Sequence, residues 1–500
     1  MTMALIQPPP ALTTLAELLP EFGSSEYAGL SFSGLQMDSR GLRSGELFAA
    51  LPGLSHHGLQ FVSDVIDRGA VGVLVDAQDT VDNVDEKRVP LIPVKDLRER
   101  LPVLARRLYG ERVDALTIIG VTGTNGKTTC TQLIARIFAE LGKPCGLVGT
   151  LGIGFPDALQ TLRHTTPDLL GLYRGIADLA DNGAEVVAME VSSHALEQAR
   201  CEGLEFSSAV LTNLSRDHLD YHGTMQAYAQ SKQRLFEFPG LQCAVLNGDD
   251  DFGRTLATTL LGIPEKLVYA VSQATADVRA TEVSYRHNGI SAQLTTPWGS
   301  GVLNSALLGE FNLSNLLAAI TVVCSQGESL QDVLGVVPGI KPVVGRMQCI
   351  AVDNAPSIVI DYAHTPDALE KALTALRPHC AGKLWCVFGC GGDRDVGKRP
   401  LMGSVAAQHA DRVVVTSDNP RSENADLIID DIVAGISGAV SREADRARAI
   451  QFAVAEADPS DWVLLAGKGH EQYQEIDGIR TPFNDEEQAR QALTMRGAQS

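Results

Sequence analysis

Short apolar runs alternate with helix-spaced ones along most of the chain. Up to about residue 114, segments 32–37, 47–51 and 71–75 read as strands and 59–67 as a helix, which predicts a small α/β domain. Near residue 115 the pattern changes. Segment 115–121 (ALTIIGV) has the continuous apolar character of a buried strand, and a Gly/Thr-rich turn and a helical pattern follow it through about Leu141. Strand-like runs at 185–191, 208–212 and 244–247 come next, then a strand over 303–311 and an apolar helix over 312–323. A Pro/Gly-punctuated stretch, 337–346, reads as an interdomain connection. The alternation restarts near 347, with strands at 357–361, 383–389, 411–417 and 461–467. Strand–helix alternation gives mostly parallel sheets covered by helices. The predicted fold is α/β in three domains: a smaller N-terminal domain (1–114), a central domain with a parallel or mixed sheet (115–342), and a C-terminal domain of Rossmann-like layout (343–500).

Composition narrows the function. A chain of 500 residues exceeds one compact core and suits about three domains of roughly 150 residues. The 44% hydrophobic content is globular, and 20% charged residues is too few for a disordered chain. With 41 basic and 61 acidic residues the formal net charge is −20, which opposes binding to nucleic acid or anionic lipid. Any anionic ligand must therefore be held by local groups. Nine scattered cysteines form no zinc pattern and read as reduced structural thiols of a cytoplasmic protein. The N-terminus has no basic region and breaks into prolines, so no signal peptide is expected. No apolar run approaches the roughly 18 residues that span a bilayer.

The most informative stretch is 118–129, IIGVTGTNGKTT. A buried strand running through a glycine turn into a helix start aims backbone N–H groups and the helix dipole at one point, and that arrangement binds phosphate. Gly123 and Gly126 allow close backbone approach, Lys127 supplies charge to the terminal phosphates, and the Thr128 hydroxyl can ligate Mg2+. The full GxxxxGK[ST] pattern is absent, because Val121 stands at its first glycine. Glu190 ends one strand, and His218 follows the next. Both lie at the carboxyl edge, where parallel sheets bind ligands, and with phosphate oxygens they make a reasonable Mg2+ shell. A nucleoside triphosphate is the expected ligand. The loop alone leaves GTPase, kinase and ligase chemistry open.

Further motifs follow in order: HTTPD (164–168), EVSSHAL (190–196), DHLD (217–220), EFNLSN (310–315), GRM (345–347), DYAHTP (361–366), GCGGDR (389–394), DNPR (418–421) and GKGHE (467–471). Together with 123–129 they resemble the Mur ligase family, the ATP-driven amide-forming enzymes of peptidoglycan precursor synthesis, over nearly the whole chain. The resemblance implies an acyl phosphate intermediate, with ADP and phosphate released. It also implies cell-wall, cell-shape and cell-division roles, and a monomer acting on small molecules.

Lys232 lies in YAQSKQRLF (228–236), and by its residues alone reads as an exposed helix lysine. The resemblance implies instead a carbamylated Lys232 that ligates Mg2+, one Mg2+ near Thr128 and Glu190 and a second near His218, and catalytic roles for Lys127, Lys232 and His218. It assigns ATP contacts to Gly123, Thr124, Asn125, Gly126, Lys127, Thr128, Thr129, Asn315, Arg346, Asp361 and His364. The UDP-muramoyl dipeptide would meet Ser39, Leu54, Ser55, His56, Thr165, Thr166, Ser192, Gln198 and Arg200. The turn at 54–57 departs most from the family's residues. An amino-acid pocket of Arg394, Asp418, Asn419, Pro420, Arg421, Gly467 and Glu471 is implied, its DNPR variant going with meso-diaminopimelate added to the D-Glu of UDP-N-acetylmuramoyl-L-Ala-D-Glu. Diaminopimelate has a second carboxylate that Arg421 can grip bidentately and lysine lacks. Alternatives are L-lysine in the same reaction, a nucleotide-dependent regulatory switch, and a folylpolyglutamate synthetase, which would lack 418–421. GCGGDR is no dinucleotide fingerprint, since Arg394 occupies its third glycine position.

Overall fold

The computed structural model describes residues 12–53, 56–79, 88–162 and 164–497. The described chain forms two compact units. One holds the residues up to Val278 together with Ala318–Ser329; the other holds Arg279–Leu317 and the residues from Leu330 onward.

The first unit begins with a four-stranded parallel sheet in the order Leu35–Gln36, Leu47–Ala50, Gly72–Asp76, Leu91–Val94. The predicted strand at 32–37 is split, Ser31–Phe32 and Leu35–Gln36 belonging to different sheets. The helix Leu97–Val113 turns Leu97, Leu101, Leu104, Tyr109 and Val113 inward. These join Leu172, Tyr173 and Ile176 of the helix Leu169–Asp181 in one apolar core. A buried ion pair, Arg174–Glu46 at 3.0 Å, ties the same helix to the leading sheet.

The larger sheet of this unit is centred on Thr117–Thr122. Val186–Glu190 and Ser208–Leu211 flank that strand in parallel, with Cys145–Gly149 beyond one and Cys243–Asn247 and Glu265–Ala270 beyond the other. Two antiparallel strands, Gly152–Phe155 and Ala158–Gln160, complete the first edge. A side chain at Gly120 would strike Phe206 and Leu235, at 2.9 and 3.0 Å, so the loop before Ser208–Leu211 and the short turn Arg234–Glu237 pack directly on the backbone of the central strand. The carboxyl ends of Thr117–Thr122, Val186–Glu190 and Ser208–Leu211 consequently share one edge.

The second unit contains an antiparallel meander, Val278–Arg286, Gly289–Thr296 and Gly299–Ser305, which the apolar pattern does not anticipate. The predicted strand over 303–311 stops at Ser305. The Ser305 hydroxyl accepts from the Leu307 N–H (3.2 Å), Gly309 takes φ +85°, and the helix Glu310–Ser325 begins there. The rest of the unit is a six-stranded sheet in the order Gln348–Ile350, Ser357–Asp361, Trp462–Ala466, Leu384–Phe388, Arg412–Val415, Ser441–Arg442. All its pairings are parallel except the first. Apolar cores lie on both faces, one with Leu369, Leu373 and Met402, the other with Ile450, Val454 and Leu493. Among the described residues no helix is long and apolar enough to cross a membrane.

Candidate active site

The phosphate loop leaves Thr117–Thr122 with Gly123 at φ +149° and Gly126 at φ +84°, and Gly126 caps the helix Lys127–Glu140. A Cβ on Gly123 would lie 1.9 Å from Thr212 Oγ1, so glycine is obligatory. The neighbouring strand end braces the loop: Thr212 Oγ1 donates to the Asn125 carbonyl (2.6 Å) and Asn125 N–H to Asn213 Oδ1 (3.0 Å). Thr124 Oγ1 accepts from Ser215 N–H at 2.9 Å. Lys127 Nζ donates back to the Gly123 and Thr124 carbonyls, both at 2.9 Å. Thr128 and Thr129 are buried in the first helical turn.

Lys232 is not the exposed lysine its local pattern suggests. Its side chain is 1% exposed, with Nζ 2.7 Å from the Gly123 carbonyl and 4.4 Å from the Tyr228 ring centre. Burial, and then the charge of Lys127, hold its amine well below the usual lysine range, with Asp217 opposing in part. Leu235 and Phe236, one turn on, bury the segment.

Glu190 is also buried, and one residue holds both its oxygens: Thr150 N–H donates to Oε1 (2.8 Å) and Thr150 Oγ1 to Oε2 (3.1 Å). His218 is half exposed at φ +52°, in a ring cluster with His194 (5.0 Å) and Tyr228 (6.0 Å). His222 completes the cluster and bonds Ser193 Oγ through Nε2 at 2.9 Å. Among the described residues, no three His, Cys, Asp or Glu side chains group as a ready metal cage. A hard cation that shares its shell with phosphate oxygens and water suits this donor set of one carboxylate, one imidazole and one hydroxyl.

Thr165, Thr166, Ser192, Gln198 and Arg200 come together beside Glu190. Thr165 Oγ1 bonds Thr150 Oγ1 at 3.1 Å, and Thr166 Oγ1 donates to the Glu190 carbonyl at 2.9 Å. Ser192 caps the helix Ser193–Glu197, and Arg200 donates to the Thr166 carbonyl (2.8 Å) and Gln198 Oε1 (3.0 Å). Burial raises the Asp168 carboxyl, and the bond from Gly171 N–H (3.0 Å) and the charge of Arg200 oppose it; Ser39 opens the short turn Ser39–Gly41 that Asp38 caps. His56 packs edge-on against Phe61 instead, at 6.1 Å. Leu54 and Ser55 lie outside the described residues.

In the second unit, Arg346, Asp361 and His364 gather around Tyr362. The Arg346 guanidinium lies 4.8 Å over that ring, and His364 Nδ1 sits 2.8 Å from the Tyr362 carbonyl. Asp361 accepts from Met347 N–H (2.8 Å) and Ala363 N–H (2.9 Å). Burial pushes its carboxyl up, with Arg346 pulling it down. Arg346 Nε is buried without a partner. Asn315 is buried on the helix Glu310–Ser325.

The predicted amino-acid residues also meet in this unit. Arg421, at φ +53°, donates from Nη1 to the Gly392 carbonyl (2.6 Å). A Cβ on Gly391 would lie 2.9 Å from that Nη1 and 3.8 Å from Arg394 Cγ, so the two arginines flank a bare stretch of backbone. A Cβ on Gly392 would strike the Pro420 carbonyl oxygen at 1.9 Å. The hairpin Tyr473–Ile476 and Ile479–Pro482 straps this loop: Arg421 N–H donates to the Glu475 carbonyl (3.0 Å) and Asp477 N–H to the Arg421 carbonyl (2.7 Å). Asn419 Nδ2 donates to Glu471 Oε2 at 2.8 Å, and Gly467, at φ +114°, passes close to Asp418. Thr150, Tyr228, Tyr362 and Lys468 take part in these sites without being singled out from sequence. Tyr228, Tyr362 and Lys468 lie inside quoted motifs, 228–236, 361–366 and 467–471, whereas Thr150 lies in none.

The parallel sheet with a glycine turn cradling Lys127 defines a P-loop α/β protein with a second, Rossmann-like sheet. Family models match in chain order: the Mur ligase family catalytic domain over 31–109, the Mur ligase middle domain over 121–323, and the Mur ligase glutamate ligase domain over 345–469. The chain belongs to the Mur ligase family. It is 51% identical over 461 residues to a UDP-N-acetylmuramoyl-L-alanyl-D-glutamate–2,6-diaminopimelate ligase of Pseudomonas aeruginosa, covering 92% of this chain and 94% of that one. A relative of the same name from Pseudomonas syringae is 50% identical over 472 residues, 93% and 96% of the two chains. A solved structure of a ligase of that name superposes with a TM-score of 0.72 at 38% identity, covering 97% of this chain and 100% of that one.

Proposed function

We infer that the chain is an ATP-dependent amide-forming ligase that adds meso-diaminopimelate to the D-Glu of UDP-N-acetylmuramoyl-L-Ala-D-Glu, a step of peptidoglycan precursor synthesis. The relatives described above carry this activity in their names. The observation that carries the reading is Lys232: a buried amine beside the phosphate loop, held by its burial well below the usual lysine range, is suited to take up CO2 as a carbamate.

A carboxylate resists amine attack because its oxygen is a poor leaving group. Transfer of the ATP γ-phosphoryl to the D-Glu carboxylate, with ADP leaving, creates an acyl phosphate; the amine then attacks the acyl carbon and phosphate departs. In this reading the 123–129 loop binds the phosphates and Lys127 offsets their charge. Thr128, Glu190, His218 and carbamylated Lys232 would hold Mg2+, which supplies charge neutralisation at the transferred phosphoryl group. Thr165, Thr166, Ser192, Gln198 and Arg200, with the Ser39 turn, orient the dipeptide so that its carboxylate lies in line with the γ-phosphate. Within the second unit, Asn315, Arg346, Asp361 and His364 are assigned to ATP, and Arg394, 418–421, Gly467 and Glu471 to the amino acid. Divisions at 114/115 and 342/343 separate UDP-sugar, ATP and amino-acid functions. The protein acts as a cytoplasmic monomer.

Phosphate release from ATP, measured with the dipeptide precursor across a panel of amino acids, tests this. Release with meso-diaminopimelate and Mg2+, with carboxylate 18O recovered in the phosphate, is expected. Preference for L-lysine would replace the amino acid. Phosphate without that label would remove the acyl phosphate, and no release with any amino acid would leave a nucleotide switch.

A further inference from the structure

Lys468 is fully buried, with three partners around its ammonium: Asn419 Oδ1 at 3.0 Å, Glu471 Oε2 at 3.3 Å and Asp418 Oδ1 at 3.6 Å. Its nitrogen also lies 5.9 Å from the rings of both Tyr473 and Phe483. Two glycines at positive φ bracket it, Gly467 (+114°) and Gly469 (+51°), so the chain bends around this one side chain. Another buried cation of this unit, Arg446, is already paired with Asp485 through two bonds of 2.7 Å. We propose that Lys468 is a positioning and specificity residue of the amino-acid pocket, an inference that rests on the assignment of that pocket to 418–421 and Glu471.

Asn419 Oδ1 accepts from Lys468 and from Glu475 N–H (3.0 Å), while its Nδ2 donates to Glu471 Oε2. Lys468 and Asn419 therefore both occupy Oε2, and among the described residues nothing donates to Glu471 Oε1. That oxygen is the one left to receive an ammonium. Charge then sets the preference. Lys468 offsets one of the two negative charges of Asp418 and Glu471. An acceptor whose far end is zwitterionic, as in diaminopimelate, suits the balance; removing Lys468 adds an uncompensated negative charge and favours a far end that is purely cationic, as in lysine.

The test compares kcat/KM for diaminopimelate and for L-lysine in Lys468→Met and Lys468→Arg, with KM for ATP measured alongside. The ratio of diaminopimelate to lysine is expected to fall about tenfold or more in Lys468→Met, with KM for ATP held within about twofold, and to recover partly in Lys468→Arg. Lys468→Gln, which keeps a donor but no charge, replaces the Met variant if that chain does not fold, and must lower the ratio likewise. Glu471→Gln and Arg421→Ala separate the two levels of the claim. An unchanged ratio in the lysine variants, while these two raise KM for diaminopimelate, overturns the role of Lys468 alone. If these two also leave KM untouched, the pocket assignment fails and takes the inference with it.

Discussion

Lys127 and Lys232 donate to one acceptor, the carbonyl of Gly123, at 2.9 and 2.7 Å. Protonating both amines would set two cations on one oxygen, and Lys232 is the one sealed from water. Adding CO2 to Lys232 replaces that repulsion by attraction and puts an anion beside the phosphate loop. Enzyme stripped of CO2 is expected to lose activity and regain it on adding bicarbonate. Lys232→Ala should cut kcat about a hundredfold or more, with no response to bicarbonate. A bicarbonate-independent Lys232→Ala enzyme with ordinary turnover would rule the carbamate out.

The same burial has a pH signature in CO2-free protein. The Lys232 amine is lowered in the folded chain and ordinary, near about 10.4, in the unfolded one. Between the two values the unfolded chain binds more protons, so this residue's contribution to stability rises with pH and is lost as pH falls through the folded value. Denaturant midpoints of wild type and Lys232→Met, compared from neutral to mildly alkaline pH, should diverge in favour of wild type as pH rises. A constant gap would count against a depressed Lys232.

Among the described residues, Thr150 alone holds both oxygens of Glu190. Thr150→Val keeps the shape and the backbone donor but removes the hydroxyl, so Oε2 is free to turn. The Mg2+ concentration for half-maximal activity should rise about tenfold, the usual scale for losing a partner that orients a metal-binding carboxylate, while the melting temperature moves little. Titration with Mg2+ decides it, and an unshifted curve would mean Glu190 does not meet the cation.

Local spacing made some of this legible and hid the rest. Gly123, Gly126 and Lys127 are neighbours in the chain, so strand, turn and helix could be read together; Asp418 to Arg421 form one loop for the same reason. The carboxyl-edge placement of Glu190 and His218 followed from strand alternation. Lys232 depends on a carbonyl 109 residues away, and Glu190 on Thr150, 40 residues away. No periodicity encodes either contact. The meander ending at Ser305 was hidden because Gly289, Gly299 and Gly301 interrupt the apolar pattern its strands would otherwise show.

Arg421 holds a left-handed backbone that a non-glycine residue adopts at some cost, and the hairpin at 473–482 maintains it. The strain presents the guanidinium beside Arg394, where a distal carboxylate can bind. Arg421→Ala should raise KM for meso-diaminopimelate about a hundredfold and leave lysine, with no such carboxylate, nearly unaffected. Arg421→Lys should recover only part of the loss, since an ammonium cannot form the paired contact. Steady-state kinetics with both amino acids measures this, and equal losses on both would assign Arg421 to the shared end of the substrate.

His379 links three segments of the second unit. Its Nε2 accepts from Gly309 N–H at 3.0 Å and its Nδ1 lies 2.5 Å from the Arg286 carbonyl, with Tyr285 and Trp462 against the ring. An acceptor at Nε2 and a donor at Nδ1 define the neutral tautomer, and a second proton would set an N–H against the Gly309 N–H. Burial lowers its pKa, the bond to Arg286 opposing in part. The unfolded chain, with an ordinary value near about 6.5, therefore binds more protons in mild acid, and stability from this residue is lost as pH falls through that region. His379→Gln should cost about 1–2 kcal/mol at neutral pH and flatten the decline in stability between about pH 7 and 5. Chemical denaturation at both pH values reads the effect: equal slopes in the two proteins would show that the ring is not held neutral between Gly309 and Arg286.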